Sequence, residues 1–203
     1  MKIIRLCGTL LATNTYLIAD GLTGSAAVVD PAAPVSDILS AAEKLGAGRI
    51  EKILLTHGHF DHLGTADALA ERTGASVLVS EPDAPLLCDG EKNGSLLFLR
   101  RPVLCRSVPQ KLRDGDLVPV GSETLAVRLT PGHTRGSVCF FAEEAVFTGD
   151  TVFADGYGRT DLYGGDEAVM RRTLLSLLPA LAGRTLYPGH GAYGFRREPG
   201  SVN

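Results

Sequence analysis

The chain has 203 residues, 44% of them hydrophobic, which is enough to bury the core of one domain. Its formal net charge of -3 and the lack of any long run of Lys and Arg argue against a nucleic-acid-binding surface. Arg5 interrupts the apolar N-terminal run, which argues against a secretion signal, and no stretch approaches the roughly 20 apolar residues needed to span a bilayer. We therefore expect a cytoplasmic protein without a nucleic-acid or membrane partner.

The first half of the chain alternates strands with helices, which indicates an α/β fold. Strands are predicted at residues 1 to 7, 14 to 19, 25 to 30, 50 to 55 and 76 to 80. Helices are predicted at residues 34 to 45 and at about 63 to 73, and a glycine ends each of them. The early strands favour a hairpin, and the later strand-helix-strand succession predicts a partly parallel sheet.

The second half of the chain favours antiparallel strands. Short strands separated by polar turns are predicted at residues 117 to 120, 124 to 130, 138 to 142 and 145 to 148. An amphipathic helix at residues 166 to 178 is expected to end before Pro179, and a last strand is predicted at residues 185 to 188. Residues 83 to 113 contain three prolines and no clear periodicity, so no structure is predicted for them.

The four cysteines of the chain show no metal-binding or redox spacing. They are Cys7, Cys88, Cys105 and Cys139, and no pair forms a C-x-x-C motif. Four cysteines in a chain of this size fit free thiols better than a disulfide framework. Because free cysteine is among the most buried residue types, we expect these thiols to be buried and structural.

Four potential metal ligands follow the strand predicted at residues 50 to 55. His57, His59, Asp61 and His62 lie within six residues, directly after this apolar strand and before a helix. A loop that leaves a strand end can direct His57 and His59 to one ion while the adjacent pair Asp61 and His62 faces a second ion. The segment therefore predicts a metal site at the end of this strand.

Three later segments share one pattern, a strand that ends in a glycine followed by a potential ligand. They are Thr-Pro-Gly-His133, Thr-Gly-Asp150 and Tyr-Pro-Gly-His190. A glycine at a strand end permits a turn that carries the next side chain over the edge of the sheet. We therefore predict that these three side chains join the first cluster in one site.

The distribution of the histidines favours a metal centre over scattered structural residues. A single histidine is more often packed or solvated than a ligand, and an Asp near a turn is usually a capping residue. Here all five histidines of the chain fall in the strand-end segments. Two divalent ions with five neutral imidazoles, the carboxylates of Asp61 and Asp150 and one hydroxide would carry a formal charge of roughly +1, which favours an anionic transition state.

Taken in order, these motifs resemble the metallo-β-lactamase superfamily along nearly the whole chain. The resemblance implies a four-layer αββα sandwich with two mixed β-sheets. It also implies two divalent ions, with Zn as the expected metal and Fe or Mn as alternatives. One ion would be held by His57, His59 and His133, the other by Asp61, His62 and His190, with Asp150 bridging the two. Asp61 and Asp150 would be the catalytic carboxylates, acting with a metal-bound hydroxide.

Two further residues are implicated by the resemblance. Asp30 with Pro31 resembles an early Asp-Pro turn of the family that supports the ligands, and a plain turn is the alternative. The segments Gly158-Arg-Thr-Asp-Leu162 and Gly164-Gly-Asp166 resemble the glyoxalase II-like and persulfide dioxygenase branches. In two-domain glyoxalase II proteins a basic residue near this place helps hold a glutathione carboxylate. The resemblance thus implies that Arg159 binds substrate, and a structural ion pair is the alternative.

The chain departs from the glyoxalase II pattern in two places. It stops at Asn203, where two-domain glyoxalase II proteins continue into a helical domain that helps bind glutathione. We therefore expect a single domain over residues 1 to 203, without that helical domain and with glutathione specificity in doubt. Arg135 stands where the family commonly has proline and puts a charge beside His133; a solvated arginine is the alternative reading.

The expected activity is hydrolysis of a small thioester or ester, including glutathione-derived thioesters, by a hydroxyacylglutathione hydrolase-like enzyme. Metal coordination lowers the pKa of a water from about 15.7 to about 7, so hydroxide is available at neutral pH. With every histidine committed to metal, a Ser-His or Cys-His nucleophile would cost the site a ligand. A thiol with a pKa of about 8.5 leaves as a thiolate with little acid assistance.

Other activities remain open at this point. One is a mononuclear iron persulfide dioxygenase, with iron on the two-His-one-carboxylate set His57, His133 and Asp150. Another is a lactonase or a different hydrolase of the same superfamily. A non-catalytic metal-binding module is disfavoured because an open metal position is suited to chemistry. A secreted β-lactamase is disfavoured by the missing signal and by Asp150, and a nuclease by the lack of extra basic surface.

Overall fold

In the computed structural model, which describes residues 1 to 196, two six-stranded sheets pack face to face. The first sheet, sheet 1, consists of β1 (Lys2–Cys7), β2 (Asn14–Ala19), β3 (Ser25–Val29), β4 (Arg49–Leu54), β5 (Ser76–Ser80) and β6 (Gln110–Leu112). Its strands β1 to β3 are antiparallel, and β3 to β6 are parallel. Helices α1 (Val35–Leu45) and α2 (Ala66–Thr73) connect the parallel strands. The predicted hairpin and parallel succession are confirmed.

The second half of the chain forms the other sheet, sheet 2. Its strands are β7 (Leu117–Val120), β8 (Glu123–Leu129), β9 (Val138–Phe141), β10 (Ala145–Gly149), β11 (Thr185–Pro188) and β12 (Phe195–Arg196). Strands β7 to β10 form the predicted antiparallel meander. Helix α4 (Glu167–Leu181) carries the chain from β10 to β11, which are parallel. Strand β12, which was not predicted, pairs antiparallel with β11.

Alternation of side chains along the strands produces the layers of the core. In β2, Tyr16 and Ile18 face the apolar layer between the two sheets, whereas Leu17 faces helices α1 and α2. On the far side, Leu177 of α4 packs on Val146 of sheet 2. Helices therefore cover both outer faces of the paired sheets, which confirms the expected αββα sandwich.

Helix α4 does not end before Pro179, so the predicted end at residue 178 is wrong. Asp166 caps the helix by accepting a 2.9 Å hydrogen bond from the Val169 amide, and the helix then runs through Pro179 to Leu181. A proline costs the helix one backbone hydrogen bond. Leu181 is fully buried in the core cluster beneath α4, and this burial explains why the last turn stays helical.

Helix α2 starts at Ala66, three residues later than the start predicted at residue 63. The Thr65 amide and hydroxyl both donate to the carbonyl of Pro31, at 2.9 and 3.0 Å, and the hydroxyl also lies 3.0 Å from the carbonyl of Ala33. These bonds hold the turn before α2 against the segment that follows β3. They replace the helical hydrogen bonds that an earlier start would have made.

Residues 83 to 113, for which no structure was predicted, contain three short elements. They are a 3-10 turn at Ala84–Cys88, helix α3 (Ser95–Leu99) and strand β6. The buried Asn93 donates to the Val103 carbonyl at 2.8 Å and accepts from the Ser95 amide at 3.0 Å. Elements of three to five residues are too short to produce a periodic pattern, which explains why none of them was predicted.

Two of the four cysteines are buried and two are exposed. Cys105 and Cys139 are buried free thiols as predicted, but Cys7 and Cys88 are exposed, so that prediction is wrong for them. Cys7 ends the edge strand β1, and Cys88 ends a surface 3-10 turn.

Within residues 1 to 196, no helix combines the length and apolar character needed to cross a bilayer.

Candidate metal centre

The seven predicted ligands lie on four loops that leave strands of both sheets. The segment with His57, His59, Asp61 and His62 follows β4 of sheet 1. His133 follows β8, Asp150 follows β10 and His190 follows β11, all of sheet 2. Because β4, β10 and β11 end at the same edge of the packed sheets, the loops meet there, and the structure brings all seven side chains together.

The donor atoms form overlapping groups whose members lie within 4.8 Å of one another. These groups are His57 with His59 and His133, His57 with His62 and Asp150, and Asp61 with His62 and His190. Asp150 lies between the first and the last group, with carboxylate oxygens 3.6 Å from His133 Nε2, 3.4 Å from His62 Nε2 and 3.5 Å from His190 Nε2. The geometry therefore suits two ions with Asp150 between them.

Hydrogen bonds at the rear of the rings fix the tautomers of two histidines. His133 Nδ1 lies 2.6 Å from the carbonyl oxygen of Arg159, which can only accept, so the proton is on Nδ1. The lone pair of His133 Nε2 then faces His59 Nδ1 at 2.9 Å and His57 Nε2 at 3.2 Å. Likewise His62 Nδ1 donates to Asp30 at 2.9 Å, which directs His62 Nε2 into the cluster.

A cation fits this set of donors better than hydrogen bonds do. His133 Nε2 and His57 Nε2 lie 3.2 Å apart, and since both rings carry their proton on Nδ1, their lone pairs face one another. Asp150 Oδ1 is buried and has no hydrogen-bond partner among the described residues. Buried carboxylate and imidazole donors in this number are those that divalent zinc and iron bind in proteins, so the residues present fit two such ions.

The electrostatics of the site indicate neutral imidazoles at His57 and His59 and surplus negative charge around His62. Burial, followed by the neighbouring imidazoles, lowers the pKa of His57 well below its usual range. Burial and His133 lower the pKa of His59 to about 3. Burial also disfavours a charge on His62, but the carboxylates of Asp61, Asp150 and Asp30 outweigh it and raise the pKa of His62 to about 10. A metal ion would neutralise the same carboxylates.

Asp30 lies directly behind the cluster. Besides His62, its carboxylate accepts hydrogen bonds from the Thr56 amide at 2.8 Å and the Thr56 hydroxyl at 2.7 Å. The same hydroxyl lies 3.1 Å from His57 Nδ1. Since the Thr56 hydroxyl donates its proton to Asp30, the hydroxyl oxygen accepts a hydrogen bond from His57 Nδ1. The lone pair of His57 is then on Nε2 and faces the cluster. Asp30 therefore orients one ligand directly and a second through Thr56.

Two supporting residues were not predicted from the sequence. The Thr13 hydroxyl donates to Asp61 Oδ2 at 2.8 Å and holds that carboxylate towards the cluster. The buried Asp83 accepts from the Gly58 amide at 2.9 Å, the Thr134 hydroxyl at 2.7 Å and the Gly136 amide at 2.8 Å. Asp83 thereby joins the loop after β4 to the loop after β8. The position of Asp83 shortly after the buried strand β5 could have indicated its role, because the predicted ligand Asp150 likewise follows a buried strand, β10.

The cluster opens into a pocket of about 410 Å³. Its walls are Leu11, His59, Phe60, Asp61, Asn93, Phe98, His133, Asp150, Phe153, Gly158, Arg159, Leu162 and His190. Phe98 of helix α3 stacks on Phe60 with ring centroids 5.8 Å apart, so the unpredicted segment supplies one wall. A volume of this order accommodates a small organic molecule, with apolar side chains around it and metal ligands at its base.

The two arginines noted in the sequence occupy different places. Arg159 lines the pocket, but its guanidinium makes two hydrogen bonds, of 2.6 and 2.8 Å, to Asp161 and lies over the Phe98 ring at 5.7 Å. Its substrate-binding role stays a prediction, because the ion pair accounts for its position as well. Arg135 is exposed and does not line the pocket, and its guanidinium lies 5.9 Å from the centre of the Tyr163 ring.

Relatives of this chain were found among proteins from bacteria. An uncharacterized protein of Mycobacterium leprae is 35% identical over 198 residues, which cover 90% of this chain and 88% of that protein. The probable polyketide biosynthesis zinc-dependent hydrolase PksB of Bacillus subtilis is 30% identical over 186 residues, 91% of this chain and 74% of that protein.

Solved structures share the fold. The B3 metallo-beta-lactamase BLEG-1 has a TM-score of 0.87 and 28% identity, covering 94% of this chain and 92% of that one. TTHA1623 in a di-iron-bound form has a TM-score of 0.81 and 29% identity, with 93% and 92% covered. ETHE1 from Myxococcus xanthus has a TM-score of 0.75 and 31% identity, with 97% and 78% covered.

The family follows from the sequence match as well as from the fold. The profile of the metallo-beta-lactamase superfamily matches residues 8 to 190, a span that starts before β2 and ends at the last predicted ligand. The match, the two mixed sheets and the convergence of His and Asp side chains agree with one another. This chain belongs to the metallo-β-lactamase superfamily.

Proposed function

We propose that this protein is a metal-dependent hydrolase of small thioesters or esters. The observation that carries the proposal is the meeting of seven donor side chains at the base of a pocket with apolar walls. Two divalent ions bound there would supply a Lewis acid and a hydroxide at neutral pH. Such a centre acts on acyl groups that reach the base of the pocket.

The protein's own residues orient the metal donors and keep bulk water away from the acyl group. Thr13 fixes the Asp61 carboxylate, and Asp30 fixes the His62 ring, so neither donor has to reorganise during the reaction. Phe98, Phe153 and Leu162 line the wall where an acyl chain would lie and keep bulk water from it.

A thioester suits the site better than an amide because of its leaving group. All five histidines are in the cluster, so no imidazole of the chain is left to protonate a departing atom. A thiol has a pKa of about 8.5 and departs as a thiolate without that help. An amine would require it. We therefore place thioesters, glutathione-derived ones included, ahead of other acyl substrates, and activated esters second.

We propose Zn as the metal, with Fe and Mn as alternatives. Imidazole and carboxylate donors suit zinc and iron alike, so the donor set alone does not choose between them. A relative carries zinc dependence in its name, and a structural neighbour is described in a di-iron-bound form. Elemental analysis of protein purified without added metal identifies the ion and its stoichiometry.

A persulfide dioxygenase is the second candidate. It is favoured by the adjacency of His57, His133 and Asp150, which form a two-His-one-carboxylate set. His133 Nε2 lies 3.2 Å from His57 Nε2 and 3.6 Å from Asp150 Oδ2. The similarity to the B3 metallo-beta-lactamase BLEG-1 adds a β-lactam to the substrates that the test must include.

The test combines metal analysis with a substrate panel. Protein loaded with Zn, Fe or Mn is assayed with S-lactoylglutathione, a thioester of N-acetylcysteamine, an activated ester, a lactone and a β-lactam, and oxygen uptake is measured with glutathione persulfide. We expect thioester turnover with the highest kcat/KM and no oxygen uptake. Stripping the metal should abolish turnover, and adding it back should restore it.

Matched variants separate loss of the centre from loss of charge. Asp150→Ala should lower kcat/KM by about a thousandfold or more, whereas Asp37→Ala, an exposed change on α1, should leave it unchanged. Oxygen consumption without thioester turnover would assign the dioxygenase instead. Equal turnover by stripped and loaded protein would refute both candidates.

A further inference from the structure

Basic residues are concentrated in the segment that was left without a predicted structure. Residues 92 to 113 contain six Lys and Arg and no Asp or Glu, although the whole chain has a net charge of -3. Lys92 pairs with Asp89 and Arg113 with Glu81. Arg100 and Arg101 are both exposed and form no ion pair with any residue from 1 to 196. The segment therefore presents uncompensated positive charge.

Part of this charge lies close in the chain to residues that line the metal pocket. Phe98, which lines the pocket, precedes Arg100 by two residues, so their Cα atoms are at most about 7.6 Å apart. Lys92 is adjacent to the pocket residue Asn93, and its ammonium group lies 5.7 Å from the centre of the Tyr163 ring. The backbone of Lys92 and of Arg100 therefore lies within about 8 Å of the wall that Phe98 and Asn93 form.

A further arginine lies on the loop of sheet 2 that carries the ligand His133. Arg135 follows the pocket residue His133 by two positions, and its guanidinium shares the Tyr163 ring with Lys92. In the described part of the chain it has no acidic partner. Arg159 differs, because Asp161 neutralises it. Lys92 is likewise paired with Asp89, so we call Arg100, Arg101 and Arg135 the cationic rim.

Resting on the proposed thioesterase function, we infer that the cationic rim binds the phosphates of the substrate's thiol carrier, which makes the substrate an acyl-coenzyme A. Hydrolysis adds water across the acyl C–S bond, releasing a carboxylate and the free thiol, so no further reactant is needed. The acyl group occupies the pocket between Phe98 and Leu162. The pantetheine arm then runs outward to the rim.

The chemistry of the rim favours phosphate over the charges of other thiol carriers. A guanidinium binds phosphate through two parallel hydrogen bonds, and the rim holds three guanidinium groups without an acidic partner in the described structure. Coenzyme A carries several phosphate charges at the far end of a long arm. Glutathione carries two carboxylates and one ammonium group close to its sulfur, so it presents little net charge to the rim.

The first experiment compares thioesters that share one acyl group. KM is measured for the coenzyme A and the N-acetylcysteamine thioester in wild type, in Arg100→Gln/Arg101→Gln and in Arg135→Gln. The ratio of the coenzyme A KM to the N-acetylcysteamine KM should rise about tenfold in the double variant. Arg49→Gln is the control, because this exposed arginine begins β4 at the opposite end of the strand from the ligands, about 20 Å away.

Salt provides an independent check of the same idea. Raising the ionic strength from about 0.02 to 0.5 M should raise the KM for the coenzyme A thioester and have little effect on the neutral one. An unchanged KM ratio in both rim variants would overturn the inference. So would a lower KM for S-lactoylglutathione than for lactoyl-coenzyme A.

Binding without turnover separates this inference from the proposed function. Desulfo-coenzyme A lacks the thiol that could bind a metal, and its affinity is measured by calorimetry on metal-stripped protein. We expect weaker binding to both rim variants and unchanged binding to Arg49→Gln. That result together with inactivity on every thioester would keep the rim as a phosphate site and refute the thioesterase. Equal binding by all variants would refute the rim.

Discussion

Asp30 shows how a single carboxylate can hold several metal ligands in place. It accepts hydrogen bonds from the His62 ring and from Thr56, and Thr56 in turn orients His57. Its backbone has a φ of 50°, a left-handed conformation that Asp and Asn adopt more readily than most residues. The backbone conformation at this position therefore favours Asp or Asn, and the hydrogen bonds to the ligands favour the carboxylate of Asp.

Replacing Asp30 by Asn should weaken metal binding without disturbing the backbone. Asn has one acceptor oxygen where Asp has two, so it cannot accept from the His62 ring, the Thr56 hydroxyl and the Thr56 amide together, and at least one of these donors loses its partner. We expect the affinity for the ion near His62 to fall by about 10- to 100-fold. A competition titration against a chromophoric chelator measures this change.

Asp37→Asn on the surface of helix α1 is the control for that titration, because it alters charge by the same amount away from the site. An Asp30→Asn protein that retains wild-type affinity for both ions would show that the carboxylate serves only the turn after β3.

At the residue scale, the ligands could be predicted from the sequence where they are close together in the chain or share a local motif. His57, His59, Asp61 and His62 are neighbours in sequence, and the Gly-ligand pattern marked the other three donors. The structure brings them together as predicted. Asp83 escaped notice because its partners, Gly58 and Gly136, are distant in the chain. Such contacts exist only after the sheets have packed.

At the scale of elements, the predictions from local sequence pattern failed where burial in the tertiary structure determines the bounds of a helix. Pro179 marks a helix end by its own geometry, yet the buried Leu181 keeps α4 helical beyond it. Helix α3 is only five residues long and has no amphipathic repeat, but it carries Phe98 to the pocket. Strands and long helices were predictable because each has its own apolar periodicity.

Asp20 connects the turns of two hairpins that belong to different sheets. It lies in the β2–β3 turn and accepts from the Thr23 hydroxyl at 2.7 Å within that turn. It also accepts from the Ser122 amide at 2.8 Å and the Ser122 hydroxyl at 2.9 Å in the β7–β8 turn. These hydrogen bonds, the Ser122 amide first, hold the pKa of Asp20 well below its usual range.

Asp20→Asn should lower the melting temperature at pH 7 by a few degrees. A carboxyl whose pKa is lowered by folding stabilises the protein fully above its ordinary pKa of about 3.9, and that contribution is lost as the pH falls through the folded value. The difference between Asp20→Asn and wild type should therefore shrink below about pH 4. Thermal unfolding of metal-free proteins across this range tests it, and a difference that grows in acid would contradict the assignment.

At the scale of the whole molecule, the metal centre joins the two halves of the sandwich. Sheet 1 supplies the four donors of the segment after β4, and sheet 2 supplies His133, Asp150 and His190. Ions bound between them would favour the packed state over any state in which the halves separate.

Removing the metal should therefore destabilise the entire protein. An ion present at about a thousand times its Kd adds about 4 kcal/mol to the stability of the folded state. For a domain of this size that corresponds to a fall in melting temperature of about 10 °C on chelation. Differential scanning calorimetry before chelation, after it and after adding Zn measures the effect. Identical transitions in all three samples would show that the donors do not hold metal in the folded state.

The order of the strands has a consequence for how the protein could be divided. Within residues 1 to 196 the chain passes between the sheets once, after β6 and before β7. A cut in the exposed turn at residues 113 to 116 would leave one fragment with four donors and another with three. Neither fragment alone could assemble the centre. Co-expressed, the two should reassociate, and cobalt added to the mixture should show visible absorption bands that neither fragment gives by itself.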